Sequence, residues 1–203
     1  MRRGRLWAAG PVILAVALAA PAVAAQNGDP VQVSSGATEY GLLAAPEIAA
    51  ASGGSKLVVW PQQIEREPER YQIWARVLDP ADRPVGEPFP ISSSELDGQP
   101  ASASSSAIAA TPDGQGFLVI WSEGTGDAFH RTLMGTHIST VGQLAADRFV
   151  IAASGVSPDL AYNPEKGEYV VVWTARGREI RGQRLRPDGS LVGESFRVFL
   201  GSQ

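Results

Sequence analysis

Beyond residue 30 the chain reads as short apolar runs separated by Gly, Pro, Asn and Asp, with little of the three-to-four-residue spacing of an amphipathic helix. Three of the runs are alike: Lys56-Leu57-Val58-Val59-Trp60, Phe117-Leu118-Val119-Ile120-Trp121 and Tyr169-Val170-Val171-Val172-Trp173. β-branched and aromatic residues dominate them, which favours strand. They are apolar at successive positions instead of alternating, so they predict strands buried on both faces, as in a sheet packed between two others. About a dozen residues before each Trp lies a shorter apolar segment, at 46–50, 106–110 and 158–162. The intervening turns, Gly53-Gly54, Pro112-Asp113-Gly114 and Asn163-Pro164-Glu165-Lys166-Gly167, are hairpin sequences that tolerate positive φ.

The match extends downstream of each Trp. Ile73 to Ile91 aligns without a gap on Ile180 to Val198, and Leu133 to Ile151 fits the same register, with Gly135 on Gly182, Gly142 on Gly189 and Phe149 on Phe196. Each copy therefore predicts four strands, A to D. Strand B is 57–60, 118–121 and 170–173, strand C is 73–78, 133–138 and 180–185, and strand D is 88–92, 148–152 and 195–199. The repeats span about 46–92, 106–152 and 158–199. A four-stranded antiparallel repeat of about 50 residues with a doubly buried second strand fits a propeller blade.

The third copy carries a further likeness. Pro158-Asp159-Leu160-Ala161-Tyr162-Asn163, Tyr169-Val170-Val171-Val172-Trp173, Ile180-Arg181-Gly182-Gln183-Arg184-Leu185 and Gly193-Glu194-Ser195-Phe196 resemble a tandem β-propeller-type repeat family of secreted bacterial proteins. The first two copies keep the strand anchors but lose the Tyr-Asn and Gln-Arg-Leu pieces. The resemblance implies a stack of blades across residues 30–199 and carries no catalytic residue with it. The expected fold is all-β: three four-stranded antiparallel propeller-like blades plus an extra N-terminal strand at Pro30-Val31-Gln32-Val33-Ser34. Propellers close with roughly four to eight blades, so this is an incomplete propeller. An open three-blade arc is favoured for the isolated chain. A homodimer completing a six-bladed ring and a remnant of a longer array remain as alternatives.

The first 25 residues change the picture of charge and compartment. Arg2, Arg3 and Arg5 precede an apolar stretch from Trp7 to Ala20 and small residues at 22–25, the layout of a cleaved signal peptide. The run is shorter than the ~20 apolar residues a spanning helix needs and is broken by Gly10, Pro11 and Pro21. Export, secreted or periplasmic, is expected, with cleavage near residue 24 or 25. Removing the segment leaves 14 basic against 21 acidic residues, which argues against nucleic acid and anionic membrane as partners. The chain has no Cys, so neither disulfides nor thiolate chemistry contributes.

Candidate chemistry is sparse. His130 and His137 are too few for a zinc site or a Ser-His-Asp triad. Asp113-Gly114 and Asp188-Gly189 read as turns, and Thr111 to Phe117 lacks the Gly and Trp offsets of the Asp-box of sialidase-type propellers. No catalytic, cofactor-binding or metal-ligating residue is assigned, and no cofactor is expected. Trp60, Trp121 and Trp173 read as core, whereas Trp74 has no aromatic counterpart and is the candidate for an exposed contact. Loop lengths vary at one end, where the B–C connections 61–72, 122–132 and 174–179 lie with the Ser-rich stretch 93–105, expected to be a flexible linker. Glu65 and Glu123 are the loop carboxylates there. The sequence thus predicts a non-catalytic binding or scaffolding module using that variable-loop end, its partner a protein or glycan. The alternative is a glycan-processing hydrolase of propeller fold.

Overall fold

Runs of Val, Ile, Leu and aromatics fit a pleated, buried surface, and in the computed structural model each run is the second strand of a four-stranded antiparallel sheet. The structure describes residues 46–125, 131–145, 147–175 and 179–201. Among these the protein is all-β, with no helix. The first sheet comprises β1 (Glu47–Ala50), β2 (Lys56–Arg66), β3 (Glu69–Leu78) and β4 (Pro84–Pro90). A two-stranded ladder follows, β5 (Glu95–Leu96) with β6 (Gln99–Pro100). The second sheet holds β7 (Ser102–Ala110), β8 (Gly116–Gly124), β9 (Thr132–Ser139) and β10 (Phe149–Ala152). The third holds β11 (Val156–Asn163), β12 (Glu168–Ala175), β13 (Glu179–Leu185) and β14 (Leu191–Leu200). The expected signal segment and extra N-terminal strand lie outside the described residues.

The alternation of side chains along each strand sorts the core into two seams. Leu57, Val59, Ile73 and Val77 of the first sheet meet Phe117, Val119, Trp121 and Ile138 of the second. The opposite face of the second sheet, with Leu118, Ile120 and Leu133, meets Tyr169, Val171, Trp173 and Leu185 of the third. We call the face turned to the preceding sheet leading and the other trailing. All nine positions of β8 are buried, as its unbroken apolar run requires. β12 departs from that expectation: its buried positions alternate, because Val170 and Val172 face away from the second seam.

The glycines and phenylalanines shared by the copies have a packing reason. Gly135 pairs with Phe149 and Gly182 with Phe196, and a Cβ on either glycine would lie within 2.6 Å of its Phe ring. The ring therefore lies across bare backbone. The first copy has Ala75 opposite Phe89 instead. From the other side comes the C–D turn of the next sheet. Gly142 (φ 82°) lies against Phe89, and Gly189 (φ 88°) against Phe149, with virtual Cβ distances of 3.3 and 2.5 Å. Each turn glycine thus serves both the left-handed backbone and the close approach. The first copy has Asp82 (φ 63°) at the equivalent place, with its carboxylate on Lys56.

Several expected boundaries move. The predicted 61–72 loop is mostly strand: β2 and β3 run on as a ladder to Arg66 and Glu69, joined at the cis peptide Glu67-Pro68. Its charges are cross-strand partners, Glu65 with Arg70, and Arg66 opposite Glu69. The Ser-rich stretch is likewise not a flexible linker, since it contains the β5–β6 ladder and the start of β7. Hydroxyls in and beside it satisfy backbone groups: Ser92 Oγ accepts from Ile73 N at 2.9 Å and Ser102 Oγ from Tyr71 N at 3.2 Å. Strand D begins earlier than expected in the first and third copies, at Pro84 and Leu191.

Candidate functional site

The short A–B and C–D turns are polar and glycine-bearing, which lets them fold back on themselves and leave room beside them. At this end of the second sheet they border an open cleft of about 530 Å³. Its walls are the A–B turn 111–116, the C–D segment 139–145 and the third sheet's Pro187 and Asp188. Pro112, Leu144, Ala145 and Pro187 supply apolar surface over a floor containing Phe117 and Ile138. Gln115, Gln143 and His137 supply hydrogen-bonding groups.

His137 fixes the cleft's inner edge. Its Nε2 lies 2.8 Å from the Pro187 carbonyl oxygen, so in that contact the ring nitrogen donates, and the ring leans on Phe149 with centroids 5.9 Å apart. His137 therefore ties the second sheet to the turn of the third. The other expected histidine, His130, lies outside the described residues.

Two carboxylates flank the cleft, and both are occupied by their own turns. Asp113 Oδ1 accepts from Thr111 Oγ1 at 2.6 Å and from Gln115 N at 3.0 Å. The Thr111 hydroxyl, with the Gln115 amide, holds its pKa below the usual carboxylate range. Asp188 Oδ1 accepts from Ser190 N at 2.9 Å, and the Ser190 hydroxyl and amide lower its pKa in the same way. Both stay ionised at neutral pH, giving the rim negative charge. Behind the rim Tyr169 Oη donates to Ala110 O at 3.0 Å, and burial pushes the phenol up to about 12.

The other expected positions fall elsewhere. Glu123 is not a loop carboxylate: it is buried near the far end of β8, where it accepts from Trp121 Nε1 at 2.7 Å. Sequence spacing held a clue, because Trp60 Nε1 likewise donates to Gln62 Oε1, two residues on, at 3.3 Å. The third copy has Ala175 there, and Trp173 Nε1 is buried with no hydrogen-bond partner. Trp60, Trp121 and Trp173 are all core residues. Trp74 is not an exposed contact, since it packs against Val58, Trp60 and Leu78 with its Nε1 buried and unbonded. Among the described residues no group of three or more His, Asp or Glu is placed to hold a metal ion. Sequence reasoning missed the cleft because it draws on turns from two sheets, and turn length alone carries no record of which turns meet.

No family model matches the chain, and no curated protein matches it. Among solved structures it is similar to the crystal structure of an N-acetylgalactosamine deacetylase from F. plautii in complex with blood group B trisaccharide. The TM-score is 0.45 at 13% identity, over 81% of this chain and 49% of that one, so the chain spans about half of that protein's length.

Proposed function

We propose that this is an exported, non-catalytic repeat module of propeller-like blades that binds a segment of a protein or a glycan in the cleft between the second and third sheets. The blade reading rests on three A–B–C–D sheets stacked face to face and on inner strands β1, β7 and β11 that neighbour one another in order. The cleft carries the binding reading: it is concave, largely apolar, and lined by a few convergent polar groups. It replaces the variable-loop end as the favoured surface, because the longest of those connections, 61–72, is largely paired strand. The non-catalytic reading is supported by the state of its carboxylates, each held by its own turn. With Asp113 and Asp188 ionised, the cleft favours uncharged or cationic ligands over acidic ones.

The test is a panel of neutral glycans and of neutral, cationic and acidic peptides, read by calorimetry on the mature chain and on Leu144→Asp. Binding by neutral or cationic members, weakened at least tenfold in the variant, supports the reading. Binding confined to acidic members, binding unaffected by Leu144→Asp, or no binding overturns it. Turnover of a glycan abolished by Asp113→Asn would establish a hydrolase instead.

A further inference from the structure

The same repeat position has opposite surroundings in different copies. Ile91 and Ile151 are 0% and 5% exposed, but their counterpart Val198 is 53% exposed. Ile73 and Leu133 are both fully buried, while Ile180 is 37% exposed. Phe89 and Phe149 each lie under the turn glycine of the following sheet, whereas Phe196 is 42% exposed. Of the eleven exposed large hydrophobic residues among those described, six lie on β13 and β14. The trailing face of the third sheet therefore leaves exposed, at Ile180, Phe196 and Val198, the positions that are covered on the first two sheets.

Those two coverings specify the occupant. Each is the leading face of a sheet whose second strand reads aromatic, Val, Trp at alternate positions, with a C–D glycine seated on the preceding Phe. The side chain beneath the incoming turn also repeats: Val77 lies against Gly142, and His137 bonds the Pro187 carbonyl. Arg184 stands at the third equivalent, about half exposed, with Glu168 at 3.5 Å. A guanidinium there suits the carbonyl and carboxylate of a Pro-Asp-Gly turn like 187–189. A second copy of this chain fits the seat poorly. The leading faces of its second and third sheets are filled by its own seams. Its first turn moreover carries Asp82 where the seat requires glycine.

We propose that the trailing face of the third sheet docks a further sheet of this same repeat type, with its C–D glycine on Phe196 and its turn against Arg184. The interaction rests on the blade reading of the three sheets and not on the cleft, so an empty cleft leaves it standing. It is an interaction of shape and apolar area, continuing the two seams already present.

The probe is the chain's own third repeat, residues 153–200, appended after Leu200 of the full chain. Amide hydrogen exchange in β13 and β14 is expected to slow at least tenfold in the extended chain relative to the parent. Val198→Asp should remove that protection while leaving the parent's exchange and melting temperature unchanged. Gly→Val at the appended counterpart of Gly189 should remove it too. No added protection, or equal effects of Val198→Asp in the two chains, overturns the proposal. A parent dimer by light scattering that Val198→Asp dissociates also overturns it, because the occupant would then be a second copy.

Discussion

The second and third sheets spell nearly the same second strand, Phe117-Leu118-Val119-Ile120-Trp121 against Tyr169-Val170-Val171-Val172-Trp173, yet they live in different surroundings. β8 is buried at every position because sheets cover both its faces, whereas β12 is covered on one. The difference shows that continuous hydrophobicity in this repeat is a property of the copy, while burial is a property of the stack. In repeat architectures stability is close to a sum of unit and neighbour terms, and these two sheets separate those terms within one chain.

Trimming equivalent side chains on the trailing faces should break the symmetry most. Ile120→Ala opens a cavity between two sheets and should cost about 3 kcal/mol by chemical denaturation, whereas the half-buried Val172→Ala should cost no more than about 1 kcal/mol. Equal losses would show that the third sheet's outer face is as enclosed as the second's. The indole acceptors offer a sharper contrast. Glu123→Ala leaves Trp121 Nε1 buried without a partner and should cost about 2 kcal/mol, while Glu123→Gln, which keeps an acceptor oxygen, should cost well under half of that.

The close contacts between glycine and phenylalanine give a third comparison. Phe149 is held between Gly135 beneath and Gly189 above, so Gly135→Ala leaves its ring nowhere to go. The expected loss is about 1–2 kcal/mol by overpacking. Phe196 has no turn above it, and Gly182→Ala should be met by a swing of the ring at a fraction of that cost. A thermal melt of the two variants side by side distinguishes the cases. The smallest effect is a gain: Ala175→Gln restores an acceptor two residues after Trp173 and should stabilise the third sheet by about 0.5–1 kcal/mol. An unchanged melting temperature would mean that the Trp173 indole is not the group limiting that sheet.

Much of the architecture was legible in the residues because packing imposes a period on them. The Trp-bearing strands, the hairpin turns and the alignment of Gly135 with Gly182 and Phe149 with Phe196 all return as matching elements. What escaped was strand made of polar residues. Gln62, Gln63, Glu65 and Arg66 carry no apolar signal, and only pairing with residues 69–72 makes them β. Ser102 to Ser106 join a sheet through their backbone, while hydroxyls in and beside that stretch cap amides that composition cannot point to. The cleft escaped for a third reason, since the lone His137 gains its role only when the third sheet's turn arrives beside it.

The contacts of the turn glycines run in one direction: the C–D turns of the second and third sheets each rest on a phenylalanine from the sheet before. A ribosome delivers these sheets in that same order. Both turns therefore emerge to find their seats already built, and a growing chain can close each of the two junctions by local zippering without waiting for later sequence. The molecule is in this sense vectorial, a structure whose assembly sequence is written into which residue lies under which.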